Sequence, residues 1–164
     1  MREEFRASEE YEQLAQTVIE ENDDLKDLLD LNVGIAFVES NKEPKHNGRR
    51  TFGKCVKVPP LYQIFAPYDF IIVLYPENFK WFNEKQKKIL LHHELMHIGV
   101  EELPDGSLGR KIVPHDVEDF KAIIDKHGLE WPIPEGKRKR NERQDSEFDY
   151  TYSDSSAACR SIAD

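Results

Sequence analysis

Apolar residues recur at helical spacing through residues 8–31, at Leu14, Val18, Ile19, Leu25, Leu28 and Leu29. The spacing predicts an N-terminal helix that Ser8 can cap and that Asn22-Asp23-Asp24 can break in two. The period then shortens. Val33 to Glu39 alternates as a strand does, with Val33, Ile35 and Phe37 on one side. A polar loop from Asn41 to Arg50 precedes a second strand, Phe52 to Val58, with Val56 and Val58 on one side and Gly53, Cys55 and Lys57 on the other. Pro59-Pro60 ends it. A third strand, Phe70 to Tyr75, is β-branched and aromatic and closes at Pro76.

Asn83-Glu84-Lys85-Gln86 then reads as a capping box. The helix it opens carries Ile89, Leu90, Leu91, Leu95, Met96 and Ile98 in nearly every direction, which predicts burial on most sides, and Gly99 offers a stop. A loop from Glu101 to Val113 is expected to turn at Pro104-Asp105-Gly106. A last helix is predicted from Pro114 to His127, with Val117, Phe120 and Ile124 inside and Gly128 just past its end. From Gly136 onward the periodicity dissolves, and residues 136–164 read as a disordered, charged tail. The whole is expected to be one domain, 1–135, with an acidic helical segment over 1–31 and a core over about 32–133.

The net charge of −9 is uneven: residues 1–30 hold eleven acids against Arg2, Arg6 and Lys26. That segment suits a basic protein partner or plain solvation and argues against nucleic acid. The one basic run, residues 137–140, is an ordinary solvated patch before it is a nucleic-acid contact. Two cysteines, Cys55 and Cys159, form no metal-binding pair and no disulfide framework. With no apolar leader and no run long enough to span a bilayer, a cytoplasmic chain without membrane contact is expected.

His93-Glu94-Leu95-Met96-His97 carries the chemistry. Residues four apart share a helix face, about 5–6 Å apart at Cβ, so His93 and His97 can grip one metal ion. Glu94 projects about 100° round from His93, where a carboxylate can take a proton from a zinc-bound water without becoming a ligand. An ordinary exposed His/Glu face is the bland alternative, but burial makes such groups costly unless they are paired or metal-bound.

A catalytic zinc takes a third protein ligand. Val100 and Leu103 stand where an extended metzincin motif needs Gly and His, so that class is excluded. Glu101 and Glu102 are too close to return, and His127 reads better as a favourable charge at a helix end. His115 is the choice, 18 residues after His97 and in the first turn of the last helix, with Glu118 as the alternative. Asp119, four residues on, is placed to hold the other ring nitrogen of His115; Asp116 does the same or caps the helix. His92 reads as a core or supporting histidine.

Tyr68-Asp69-Phe70-Ile71-Ile72-Val73, the His93–His97 motif, and His115-Asp116-Val117-Glu118-Asp119-Phe120 with Gly128 and Trp131 together resemble the phage metallopeptidase domain family. The resemblance covers about residues 30–133. A more distant similarity is to SprT-like metalloproteases, whose frequent zinc ribbon has no cysteines here. The resemblance implies a zincin fold, His115 as third ligand and, for a phage-encoded chain, the host cytoplasm.

The expected fold is α+β, a small, mainly antiparallel sheet packed on the buried motif helix with further helices on either side. The expected function is a zinc metallopeptidase, one Zn2+ per chain, with a protein or peptide substrate held along an edge strand, either Phe70–Tyr75 or Phe52–Val58. Tyr68 and Tyr75 are candidates for stabilising the oxyanion. Two other classes are a zinc-stabilised binding module and a phage effector that engages a host protein through its acidic N-terminal helix.

Overall fold

The computed structural model describes residues 2–115 and 120–134. The expected 136–164 tail and the Asp116, Val117, Glu118 and Asp119 assignments lie outside them. The elements run β1 (Phe5–Ala7), α1 (Glu9–Glu21), a 3-10 turn (Asp23–Leu25), α2 (Asp27–Asp30), β2 (Ile35–Ser40), β3 (Lys45–His46), β4 (Arg49–Arg50) and β5 (Gly53–Lys57). There follow α3 (Pro60–Gln63), β6 (Phe70–Leu74), a 3-10 turn (Pro76–Phe79), α4 (Glu84–Met96), β7 (Ile98–Glu102), β8 (Leu108–Ile112) and α5 (Lys121–His127). The architecture is α+β.

The main sheet has the order β1-β2-β6-β5. Its outer pairs are antiparallel, and its central pair, β2 on β6, is parallel with Ile35 opposite Phe70. The expectation of a mainly antiparallel sheet holds for two pairings, with the parallel one in the middle. β6 reads as a continuous apolar run because it is interior: Phe70, Ile72 and Leu74 are fully buried. Interior pairing on both sides removes Phe70–Leu74 as the edge strand and leaves β5. β1 went unread in the sequence because three exposed residues carry no alternation to detect.

α1 breaks where expected. Asn22 leaves helical geometry at φ −127°, and its amide donates back to the Val18 carbonyl at 2.5 Å. Tyr11, Ala15, Val18 and Ile19 are buried in the common core with α4 residues Ile89, Leu90, Leu91 and Leu95. Ser8 caps α1 and also donates to Glu39 at 2.7 Å, while Arg6 pairs with Glu39 at 2.6 Å, so one carboxylate ties β1 and α1 to β2. Two acids of α1 meet lysines of α4, Glu10 with Lys87 and Glu21 with Lys88, both at 3.0 Å. The acidic segment is therefore built into the fold, and deleting residues 1–30 would strip one wall of the core rather than free an appendage.

Several expectations about the second half change. Residues 98–112 form the antiparallel hairpin β7–β8 around the predicted turn, where Gly106 donates to the Leu103 carbonyl at 2.8 Å. Gly99 lies within β7 instead of stopping α4. A Cβ there would sit 2.8 Å from Val113 Cγ2 and 2.9 Å from Lys111 Cγ, so the glycine serves close chain approach. The last helix begins at Lys121, because Phe120 is still extended (ψ 128°) and His115 precedes the helix outside any regular element. Its buried residue is accordingly Ile123 rather than Ile124. Gly128 follows its end at φ 77°.

Candidate metal centre

α4 owes its position to both ends. Asn83 accepts from Gln86 N at 2.9 Å while Gln86 Oε1 accepts from Asn83 N at 3.1 Å, closing the predicted capping box. The buried Gln86 side chain also donates to the carbonyls of Trp131 (2.8 Å) and Ile133 (3.1 Å), fastening the C-terminal segment across the first turn. Phe82 packs against Phe52, Phe79 and Trp131 at ring separations of 5.1–5.8 Å, an aromatic cluster that seats the helix on the sheet. At the other end His97 is itself the C-cap, so the second motif histidine leaves the helix pointing toward the hairpin.

The ligand atoms of His93, His97 and His115 all lie within 4.8 Å of one another. His93 Nε2 and His115 Nε2 are 3.0 Å apart. His97 Nδ1 lies 2.7 Å from the Val113 carbonyl oxygen. A carbonyl only accepts, so Nδ1 carries the proton and Nε2 is left as the metal-facing lone pair. The hairpin that the sequence reading took for a loop makes this contact, and it also delivers Pro114 and His115 back to the helix. Val113 N donates to the His97 carbonyl at 2.8 Å, locking the return.

Phe120 is the supporting residue that sequence reasoning placed only on an inner helix face. Its ring is buried and lies 5.3, 4.8 and 5.1 Å from the rings of His93, His97 and His115. It floors all three imidazoles at once. Its spacing of five from His115 was the only available signal, and it carries no direction without the fold.

Glu94 is buried, and its carboxylate rests against the first residue of β5. A Cβ at Gly53 would lie 2.7 Å from Glu94 Oε1 and 2.9 Å from Cδ. Cys55, two residues along the strand, shares this environment: burial pushes its thiol up, and the Glu94 charge pushes it further the same way. The neutral thiol is therefore neither nucleophile nor ligand at ordinary pH.

The other sequence candidates separate from this centre. His92 is buried on another face of α4, with Nε2 2.9 Å from Asp24 Oδ2, which fits the core histidine among the two readings given it. His127 stands in the last turn of α5, but burial, then the charge of Lys126, lowers its pKa, so Lys126 supplies the charge at that helix end. Tyr68 lies beyond the Lys57 end of β5, away from Gly53 and Glu94, and Tyr75 is buried in the core. Glu101 pairs with Lys111 across the hairpin at 2.5 Å.

Three convergent imidazoles are a donor set that fits zinc. In a tetrahedral site with Zn–N near 2.0–2.1 Å, ligand nitrogens stand about 3.3 Å apart, and the separations here need only small side-chain adjustment. The fold and site define a small α+β protein with a three-histidine candidate metal centre. The chain belongs to the family described as putative phage metallopeptidase, whose model matches residues 3–137. The match takes in β1 and α1, consistent with their place in the sheet and core. No curated protein and no solved structure matches the chain. Among the described residues no helix is long and apolar enough to cross a membrane.

Proposed function

We propose that the chain is a zinc-dependent peptidase in which His93, His97 and His115 hold one metal ion and Glu94 is the general base. The observation that carries this reading is the convergence of three imidazoles from two separate stretches of chain, with the buried Glu94 next in sequence to one of them. Bound zinc supplies Lewis acidity to a peptide carbonyl and brings the pKa of water towards ~7. Glu94 accepts the proton of the attacking water and passes it to the leaving amine. Gly53 leaves room for that carboxylate, and the sheet wall on that side keeps it dry, which favours proton transfer over solvation. The Val113 carbonyl holds the His97 tautomer, and Phe120 holds the ring planes. The outer edge of β5 offers main-chain partners to an extended peptide.

Metal content by mass spectrometry, paired with hydrolysis of a denatured protein substrate, tests the reading on the parent, His115→Ala and Glu94→Gln. The expected pattern is about one zinc per chain in the parent and Glu94→Gln, marked zinc loss in His115→Ala, and hydrolysis by the parent alone. Full zinc in His115→Ala removes it from the ligand set. Undiminished hydrolysis by Glu94→Gln removes the general base.

A further inference from the structure

The segment between β5 and β6 displays four large apolar side chains in five residues. Leu61 is 66 % exposed, Tyr62 60 %, Ile64 75 % and Phe65 83 %. Single exposed apolar residues are ordinary, but a contiguous cluster marks a surface that meets something. None of α3 is buried, so the core gains nothing from these residues.

The segment is nevertheless braced. Val58 N donates to the Asp69 carbonyl at 2.8 Å and closes its base. The Asp69 carboxylate then takes Gly34 N at 3.0 Å, Gln63 Nε2 at 3.3 Å and the Arg110 guanidinium at 3.0 Å, binding sheet, arm and hairpin together. Tyr62 N to Pro59 O (2.9 Å) and Phe65 N to Tyr62 O (3.0 Å) set the turns within it. A clamped arm presents its side chains at low ordering cost to whatever binds.

Its position names the occupant. The arm continues directly from β5, the terminal strand of the sheet, whose outer edge pairs with no strand among the described residues. At its other end β5 abuts the Glu94 carboxylate at Gly53. β8 also packs against β5, but no strand among the described residues is ladder-paired to that outer edge, and its backbone donors and acceptors can exchange water for an extended chain, which a lipid surface cannot offer. The five residues of β5, at about 3.3 Å each, span ~16 Å from Glu94 to the base of the arm. Antiparallel pairing is the more stable arrangement, and it runs the N-terminal side of the added chain toward the arm.

We propose that Leu61, Tyr62, Ile64 and Phe65 form a docking platform for apolar residues of an extended protein substrate, about five to eight positions on the N-terminal side of the bond brought to Glu94. This rests on the peptidase reading for the location of the cut, but the docking itself does not require cleavage. The substrate class is an unfolded or extended polypeptide with an apolar cluster upstream of the cut.

The test uses the full chain as Glu94→Gln, so that a bound peptide stays intact, and two fluorescein-labelled 16-residue peptides of equal composition. One carries a Leu/Phe block in its N-terminal half, the other in its C-terminal half. Anisotropy is expected to show the N-terminal-block peptide binding about tenfold tighter, and Ile64→Ser/Phe65→Ser to abolish that preference. Zinc content and thermal midpoint of the double variant should match the parent, as both residues are exposed. Equal binding of the two peptides, or a preference that survives Ile64→Ser/Phe65→Ser, overturns the proposal. So does a parent that is dimeric and becomes monomeric on Ile64→Ser/Phe65→Ser with peptide binding unchanged, which would assign the platform to a second copy. Binding to phosphatidylglycerol-containing vesicles in place of peptide would overturn it in favour of a membrane. Failure of the peptidase reading shows separately, as a parent with bound zinc that cuts neither peptide while the binding preference persists.

Discussion

Gly53→Ala should cost activity and little else. The new Cβ would stand 2.7 Å from Glu94 Oε1, 2.9 Å from Cδ and 3.1 Å from Cγ, where ordinary contact begins at 3.4 Å. The strand backbone accepts alanine, since Gly53 is not among the positive-φ glycines. The glutamate must therefore yield, by about 0.7 Å at Oε1 (3.4 less 2.7). Turning a side chain off its rotamer costs about 0.5–1.5 kcal/mol, and alanine returns about 0.4–1 kcal/mol by restricting the unfolded chain. Stability should stay within about 1 kcal/mol of the parent. Catalysis is less forgiving: a misplacement near 1 Å can cost about 10²-fold, so kcat should fall about 30- to 100-fold, or ~2–3 kcal/mol of barrier. The assay is steady-state hydrolysis with zinc content and thermal midpoint measured on the same preparation. In a Glu94→Gln background the Gly53 change should add almost nothing, because the group it displaces is already disabled. A Gly53→Ala protein that folds, holds zinc and turns over within threefold of the parent would refute the close packing of β5 as the device that aims Glu94.

Phe120→Leu keeps the site apolar but removes the ring that meets all three imidazoles at 4.8–5.3 Å. Zinc affinity, read by competition with a chromophoric chelator, should fall about tenfold, in the range seen for groups that orient ligands; unchanged affinity would show the ring to be mere filling. Chelation should lower the thermal midpoint, since metal at 100 times its Kd adds ~2.7 kcal/mol of stability, and a midpoint indifferent to chelator and to added zinc would argue against a bound metal. Glu39 gives a pH signature. Burial works to raise its pKa, but hydrogen bonds from Ser8 and Arg6 prevail and hold it below the usual carboxylate range. A lowered folded-state pKa contributes stability that is present above the unfolded value and lost as pH falls through the folded one. Glu39→Gln should therefore be less stable by about 1–2 kcal/mol at pH 7, with the gap closing in acid. Urea titrations at pH 7 and pH 3 read it, and a gap of equal size at both would show that the carboxylate charge is not the source.

Much of this protein was legible as a sequence because its signals are local. The capping box at Asn83 and Gln86 is a four-residue hydrogen-bond pattern, and the break at Asn22 is a competition between a short amide and its own backbone. The spacing of His93 and His97 fixes a shared helix face wherever the helix lies. What remained hidden depends on residues distant in the chain. Phe70–Leu74 reads as an edge or an interior strand alike until β2 and β5 are seen on either side of it. The hairpin β7–β8 has weak patterning of its own, and the register of Ile98 with Ile112 and Gly99 with Lys111 makes it a pair of strands. Gly99 had a plausible local use as a helix stop, but packing gave it another. His115 could be chosen from the residues, though not its place ahead of a helix or above Phe120, because nothing local ties a ring at 115 to one at 120. Local composition determined which groups could do chemistry here. Only the return of the chain through the hairpin decided that three imidazoles meet, and only the missing side chain at Gly53 left room for the buried Glu94 carboxylate against β5.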